Sequence, residues 1–162
     1  MTIQVGDKLP SGAFTIMTED GPQALSSDDL FGGKKVVLFS VPGAFTPTCS
    51  MKHLPGFVEK SEELKANGVD TIACIAVNDV FVMDAWGKSA GADGKVVMLA
   101  DGNAEYTKLL GLELDASGFG MGTRGQRFSI IADDGVATQV NIEGPGEFKV
   151  SNAETALEQT AG

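Results

Sequence analysis

The chain has 162 residues, 43% apolar and 21% charged, with 22 acidic against 12 basic side chains and a formal net charge of −10. That length suits one domain spanning 1–162, burying about two thirds of its unfolded surface, and the negative balance excludes nucleic acid and anionic membranes as natural partners. No apolar run approaches the ~20 residues that cross a bilayer, and two cysteines with one histidine cannot make a zinc site unaided.

The N-terminus, Met1-Thr2-Ile3-Gln4-Val5-Gly6-Asp7, has neither a basic segment nor an apolar core, so a cytoplasmic protein is expected. A short extended segment is predicted over 13–17, then a turn at Gly21-Pro22. The β-rich run Lys35-Val36-Val37-Leu38-Phe39-Ser40-Val41 predicts a buried strand. A helix carrying Cys49 follows, interrupted at Pro55-Gly56 and resuming over 57–67, with Gly68 suited to its C-terminal stop. Residues 71–77 are apolar on both faces, as in a central parallel strand. Asn78 or Asp79 then caps a helix through about Ala90, on which Phe81, Val82 and Trp86 read as core. A strand over 96–100 and a helix over 104–110 come next, and the glycine-rich stretch 111–125 reads as a loop. Residues 127–132 and 136–142 form a hairpin around Asp133-Asp134-Gly135. Ser151-Asn152-Ala153-Glu154 reads as a capping box opening a last helix. The order predicts an α/β fold, a mixed central sheet flanked by helices on both faces.

The chemistry concentrates in Pro42-Gly43-Ala44-Phe45-Thr46-Pro47-Thr48-Cys49. A strand delivers Cys49 to a helix start, where unpaired N–H groups and the helix dipole favour thiolate over thiol. Thr46 lies one helical turn earlier, and such a carboxyl end of a parallel strand is where these sheets place their sites. His53, at i+4 from Cys49, allows a Cys–His hydrolase pair as an alternative. A helix cap for Thr46, a surface ion pair for Arg127 and a core role for Phe45 and Phe119 are the plainer readings. No CxxC pair is present, so the usual dithiol motif is absent.

The spacing Pro42-x3-Thr46-x2-Cys49 resembles the signature of the peroxiredoxins. The run His53-Leu54-Pro55-Gly56-Phe57, with Val77-Asn78-Asp79, Trp86-Gly87, Leu99-Ala100-Asp101 and Arg127-Phe128-Ser129, resembles the type II, peroxiredoxin-5-like branch. The resemblance implies a thioredoxin-like fold and reduction of hydrogen peroxide and alkyl hydroperoxides by a peroxidatic Cys49, without metal, haem or flavin. It implies a site of Pro42, Thr46, Cys49 and an arginine, Arg127 by position, with Arg124 as fallback. Phe45, Thr48 and Phe119 become candidates for the substrate pocket, and His53 a supporting residue. A homodimer through the active-site face is implied as well. Some members carry a resolving cysteine near the C-terminus; here that region has none, and Cys74 is the one internal candidate. Cys74 sits in a strand interior, where a structural thiol is expected, so the reductant is external: glutathione, glutaredoxin or thioredoxin. A non-catalytic thioredoxin-fold binding or holdase module is the remaining alternative.

Overall fold

The computed structural model describes residues 2–48 and 52–161. Seven strands form a mixed sheet: β1 (Ala13–Thr18), β2 (Gly21–Ser26), β3 (Lys35–Ser40), β4 (Thr71–Ala76), β5 (Val97–Ala100), β8 (Phe128–Asp133) and β9 (Val136–Ile142). Their order across the sheet is β2-β1-β5-β4-β3-β8-β9. The inner trio β5-β4-β3 is parallel, and β1, β2, β8 and β9 are added antiparallel.

Alternation along the strands sends side chains to two apolar layers. Val37 and Phe39 of β3 with Ile72 and Cys74 of β4 face one layer, covered by α2 (Leu54–Glu59), α3 (Ser61–Ala66), α4 (Val80–Ser89) and α6 (Ala153–Thr160). Val36 and Leu38 with Ala73 and Ile75 face the other, closed by α1 (Ser27–Phe31) and α5 (Glu105–Leu110). Cys74 is wholly buried, opposite Phe39 and Met98, as expected of a strand interior.

Several local expectations are borne out by their hydrogen bonds. Asp79 accepts from the Val82 N–H at 2.8 Å and caps α4. The end of α3 closes as a Schellman motif: Val69 N–H donates to Leu64 O, Gly68 N–H to Lys65 O, and Gly68 takes φ +94°. The β8–β9 turn has positive φ at Asp134 and Gly135, matching the twist of a two-residue hairpin.

Other segments differ. The first turn falls on Glu19-Asp20, and Pro22 lies inside β2, tolerated because β2 is an edge strand. The interruption comes just before Pro55 rather than at Pro55-Gly56: Lys52 and His53 form a π-helical turn, Pro55 occupies the first turn of α2, where its missing N–H is harmless, and a second break before α3 comes at Lys60. The stretch 111–125 is no plain loop but a small ribbon of β6 (Glu113–Asp115) and β7 (Thr123–Gly125) around a 3₁₀ turn at Ser117–Phe119. The cap of α6 is Asn152, whose side chain accepts from Thr155 N–H at 2.8 Å, because Ser151 is committed to Glu143. Asn152→Ala should therefore cost about 1 kcal/mol in urea unfolding while leaving the Ser151 contacts in place.

Candidate active site

Sheet register assembles the site. Ser40 pairs with Phe128, and Phe128 with Ile142. One residue beyond lie Val41 at the exit of β3, Arg127 at the entry to β8 and Glu143 at the exit of β9; Glu143 N–H donates to Arg127 O at 3.0 Å. A cleft of about 210 Å³ at this corner is lined by Pro42, Thr48, Leu114, Arg127, Glu143 and Pro145, among others. Cys49 lies outside the described residues, directly after Thr48 in the chain.

The segment 42–48 is held by local bonds. Thr46 N–H and Oγ1–H both donate to Gly43 O, at 3.4 and 2.7 Å. Ala44 N–H donates to Asn78 Oδ1 at 2.9 Å, so of the two cap candidates Asp79 caps the helix while Asn78 ties it to this loop. Gly43 is packed closely: a Cβ there would stand 3.1 Å from Thr46 Cγ2, 3.2 Å from Arg124 Nη1 and 3.4 Å from Met121 Cε. Arg124 thus rests against the loop backbone, its Nε–H donating to Met121 O at 2.9 Å. The two arginines take different places, Arg127 in the cleft and Arg124 over Gly43. Phe45, at φ +63° and 55% exposed, has its ring 6.4 Å from Trp86; Phe119 is 86% exposed on the ribbon and lines no part of the cleft.

His53 and Arg127 form the central contact, with Arg127 Nη1 2.8 Å from His53 Nδ1. His53 is fully buried, ringed by Phe39, Phe57 and Phe148 at centroid distances of 4.7, 5.7 and 4.8 Å. Its Nε2 lies 2.9 Å from Ser151 O. A carbonyl can only accept and a guanidinium only donate, so Nε2 carries the proton and Nδ1 presents its lone pair to Arg127. Burial, reinforced by the Arg127 charge, drives the His53 pKa down to about 3. A neutral imidazole whose lone pair is already engaged is a poor general base, and the geometry gives no support to a Cys49–His53 hydrolase.

Behind His53 stands a buried carboxylate that the sequence did not single out. Glu143 accepts from the N–H groups of Lys149, Val150 and Ser151 at 2.8–2.9 Å and from Ser151 Oγ at 2.7 Å. Burial alone would raise its pKa; the Ser151 hydroxyl and the three N–H donors outweigh that and hold it below the usual range. The chain Glu143–Ser151–His53–Arg127 is continuous, and the Arg127 guanidinium also lies 5.7 Å from the Phe148 ring centre. The only local signal for it was Glu143 at the end of a strand, followed by a Gly-Pro-Gly turn.

A family model described as Redoxin matches residues 4–157. Peroxiredoxin-2B of Arabidopsis thaliana is 54% identical over 156 residues, covering 96% of each chain. Peroxiredoxin-2C of Oryza sativa subsp. japonica is 53% identical with the same coverage. Among solved structures, reduced Prx3 from Vibrio vulnificus in complex with hydrogen peroxide superposes with a TM-score of 0.95 at 52% identity, over 98% of this chain and 99% of that one. Peroxiredoxin 5 from Alvinella pompejana gives 0.86 at 36% identity, over 98% and 97%. With its thioredoxin-like sheet, the chain belongs to the redoxin family. More closely, it is a type II peroxiredoxin, and its activity is that of a thiol peroxidase.

The depressed His53 pKa has a direct consequence for stability. Above pH 6.5 the imidazole is neutral in both states; below it the unfolded chain takes up a proton that the fold refuses, so stability is lost as pH falls toward 3. The expected slope is about 1.4 kcal/mol per pH unit from this group. Because the chain has a single histidine, its imidazole resonance is unambiguous in NMR and should not titrate between about pH 5 and 8, where an ordinary histidine does.

Proposed function

We propose that Cys49 is the peroxidatic nucleophile, with Pro42, Thr46 and Arg127 completing its site. The observation that carries this reading is the position of Arg127, fixed by His53 in a cleft shared with Pro42 and with Thr48, the residue bonded to Cys49. A cation there favours the thiolate and faces the charge that develops as the peroxide bond breaks. The Thr46 hydroxyl proton is committed to Gly43 O, so toward a hydroperoxide Thr46 Oγ acts as acceptor for the O–H. Pro42, half-buried on the cleft wall, shields the reaction from water.

The Cys49 thiolate attacks the terminal oxygen of R–O–O–H. An S–O bond forms, the O–O bond breaks, and the electron pair leaves on RO⁻, which takes up a proton to give the alcohol, or water from hydrogen peroxide. Sulfur is oxidised by two electrons to sulfenic acid. The protein from Vibrio vulnificus, crystallised with hydrogen peroxide, supports that substrate by analogy. A thiol R′–SH then condenses with the sulfenic acid, releasing water and leaving a mixed disulfide; a second thiol displaces Cys49 and completes the cycle. Glutathione with glutaredoxin, or thioredoxin, in a cytoplasmic setting is the reductant we propose, because Cys74 is packed in the core rather than placed on a surface. The working unit is a homodimer through the face carrying Phe45 and Phe119, both exposed in the single chain.

Stopped-flow mixing of the reduced protein with micromolar peroxide should consume one thiol per chain, and Cys49→Ser should abolish it. Arg127→Gln should slow the attack about 10²–10³-fold, while Arg124→Gln has a small effect; the reverse ranking would move the role to Arg124. Cys74→Ser should keep turnover with glutathione and glutaredoxin. Loss of turnover, with a Cys49–Cys74 disulfide found by mass spectrometry in the parent, would replace the external route by an internal one.

A further inference from the structure

Arg127 needs a partner that aims it, and His53, which receives its Nη1, carries no charge. A carboxylate at the same place would orient the guanidinium equally well but would cancel much of the field that a thiolate requires. We propose that His53 is a charge-neutral positioning residue for Arg127, locked in its accepting tautomer by the Glu143–Ser151 turn, so that the guanidinium is aimed with its charge intact. This rests on the reading of Arg127 as the cation that serves Cys49 and the hydroperoxide.

Four observations carry it. The Ser151 carbonyl fixes the proton on Nε2, so Nδ1 can only accept. Phe39, Phe57 and Phe148 surround the ring and remove the water that would otherwise compete for the lone pair. Glu143 is the acidic group near His53, and its two oxygens are taken by three backbone N–H groups and the Ser151 hydroxyl. Finally, the same turn that holds Ser151 carries Phe148, whose ring lies beside the Arg127 guanidinium. The turn 143–151 therefore controls both the ring nitrogen that receives Arg127 and an aromatic face against which it rests.

The experiment compares His53→Leu, His53→Asn and His53→Asp by the second-order rate with hydrogen peroxide and by the Cys49 pKa from the pH dependence of alkylation. Leu removes the acceptor and should slow the reaction about tenfold or more, a factor worth about 1.4 kcal/mol of barrier. Asn places a neutral carbonyl oxygen near the Nδ1 position and should recover most of that loss. Asp restores an acceptor with a charge; it should stay slow and raise the Cys49 pKa by about one unit. A merely structural histidine predicts that rate follows folding stability across the three, with the Cys49 pKa unmoved; that result overturns the proposal, as does Asp matching the parent. Should these variants not fold, the parent protein still decides the matter: imidazole ¹⁵N shifts must report the Nε2–H tautomer, and an Nδ1–H tautomer rejects it. Arg127→Gln serves as the separate control. If it leaves the rate unchanged, the role of Arg127 itself is wrong; if it is slow while all His53 variants are fast, only the role of His53 fails.

Discussion

Three strands end side by side, and each next residue is a polar participant or leads directly into the loop of the site. The pairing Ser40–Phe128–Ile142 sets Val41 and Pro42, Arg127 and Glu143 at one corner of the sheet. Nothing short of this register brings residues so far apart in sequence into one cleft. A slip of one residue between β3 and β8 would turn Phe128 and Ile130 from one apolar layer to the other and carry Arg127 with them. Both layers are closely filled by fully buried side chains, so a slip that exchanged the two faces would break the fit of each and is strongly opposed. Packing of the core and placement of the site are thus one constraint.

Polar groups buried at that corner are tolerated because every one is satisfied. Half-paired, the Glu143 carboxylate or the His53 imidazole would be costly to bury. Fully paired, they form a rigid line from the 149–151 amides to Arg127, and among the described residues no buried side-chain polar atom lacks a partner. The cost appears elsewhere: the fold depends on an imidazole that refuses its proton, so resistance to acid is given up for a fixed guanidinium. Ser40 shows the same principle, its hydroxyl donating to Gln126 O at 2.8 Å and tying the segment before Arg127 to the end of β3.

Where the sequence spoke clearly, local physics decided the structure. The run 35–41 could only be a buried strand, Asp134-Gly135 only a tight hairpin, and Gly68 only a helix stop. The Pro42–Thr46 spacing likewise located the loop, since a strand exit with two prolines admits few conformations. What stayed hidden depends on partners far along the chain. Ser151 looks like a cap until Glu143 takes its hydroxyl, and the role passes to Asn152. Pro22 looks like a turn until the sheet order places it on an edge. Glycines in 111–125 mask a ribbon whose pairing comes from Glu113–Gly125 and Asp115–Thr123 contacts. His53 at i+4 from Cys49 suggested a direct pair, but its ring nitrogens face Ser151 and Arg127, residues 98 and 74 positions away.

The chain has only two arginines, Arg124 and Arg127, and both lie at this site, in a protein whose net charge is −10. An overall negative field opposes any buried anion, so the thiolate proposed at Cys49 would call for a cation that is strong and close. Lysine would bring a charge, but as a flexible point with no fixed direction. A planar guanidinium can give one N–H to His53 Nδ1 and still present its other donors in a fixed fork. Hydroperoxides are neutral at ordinary pH, so the acidic surface does not repel them, and the positive charge need act only inside the cleft. The twelve basic residues thus fall into two groups. The lysines serve the surface, Arg124 rests over the Gly43 backbone, and Arg127 stands in the cleft, where the proposed reaction calls for a directed cation.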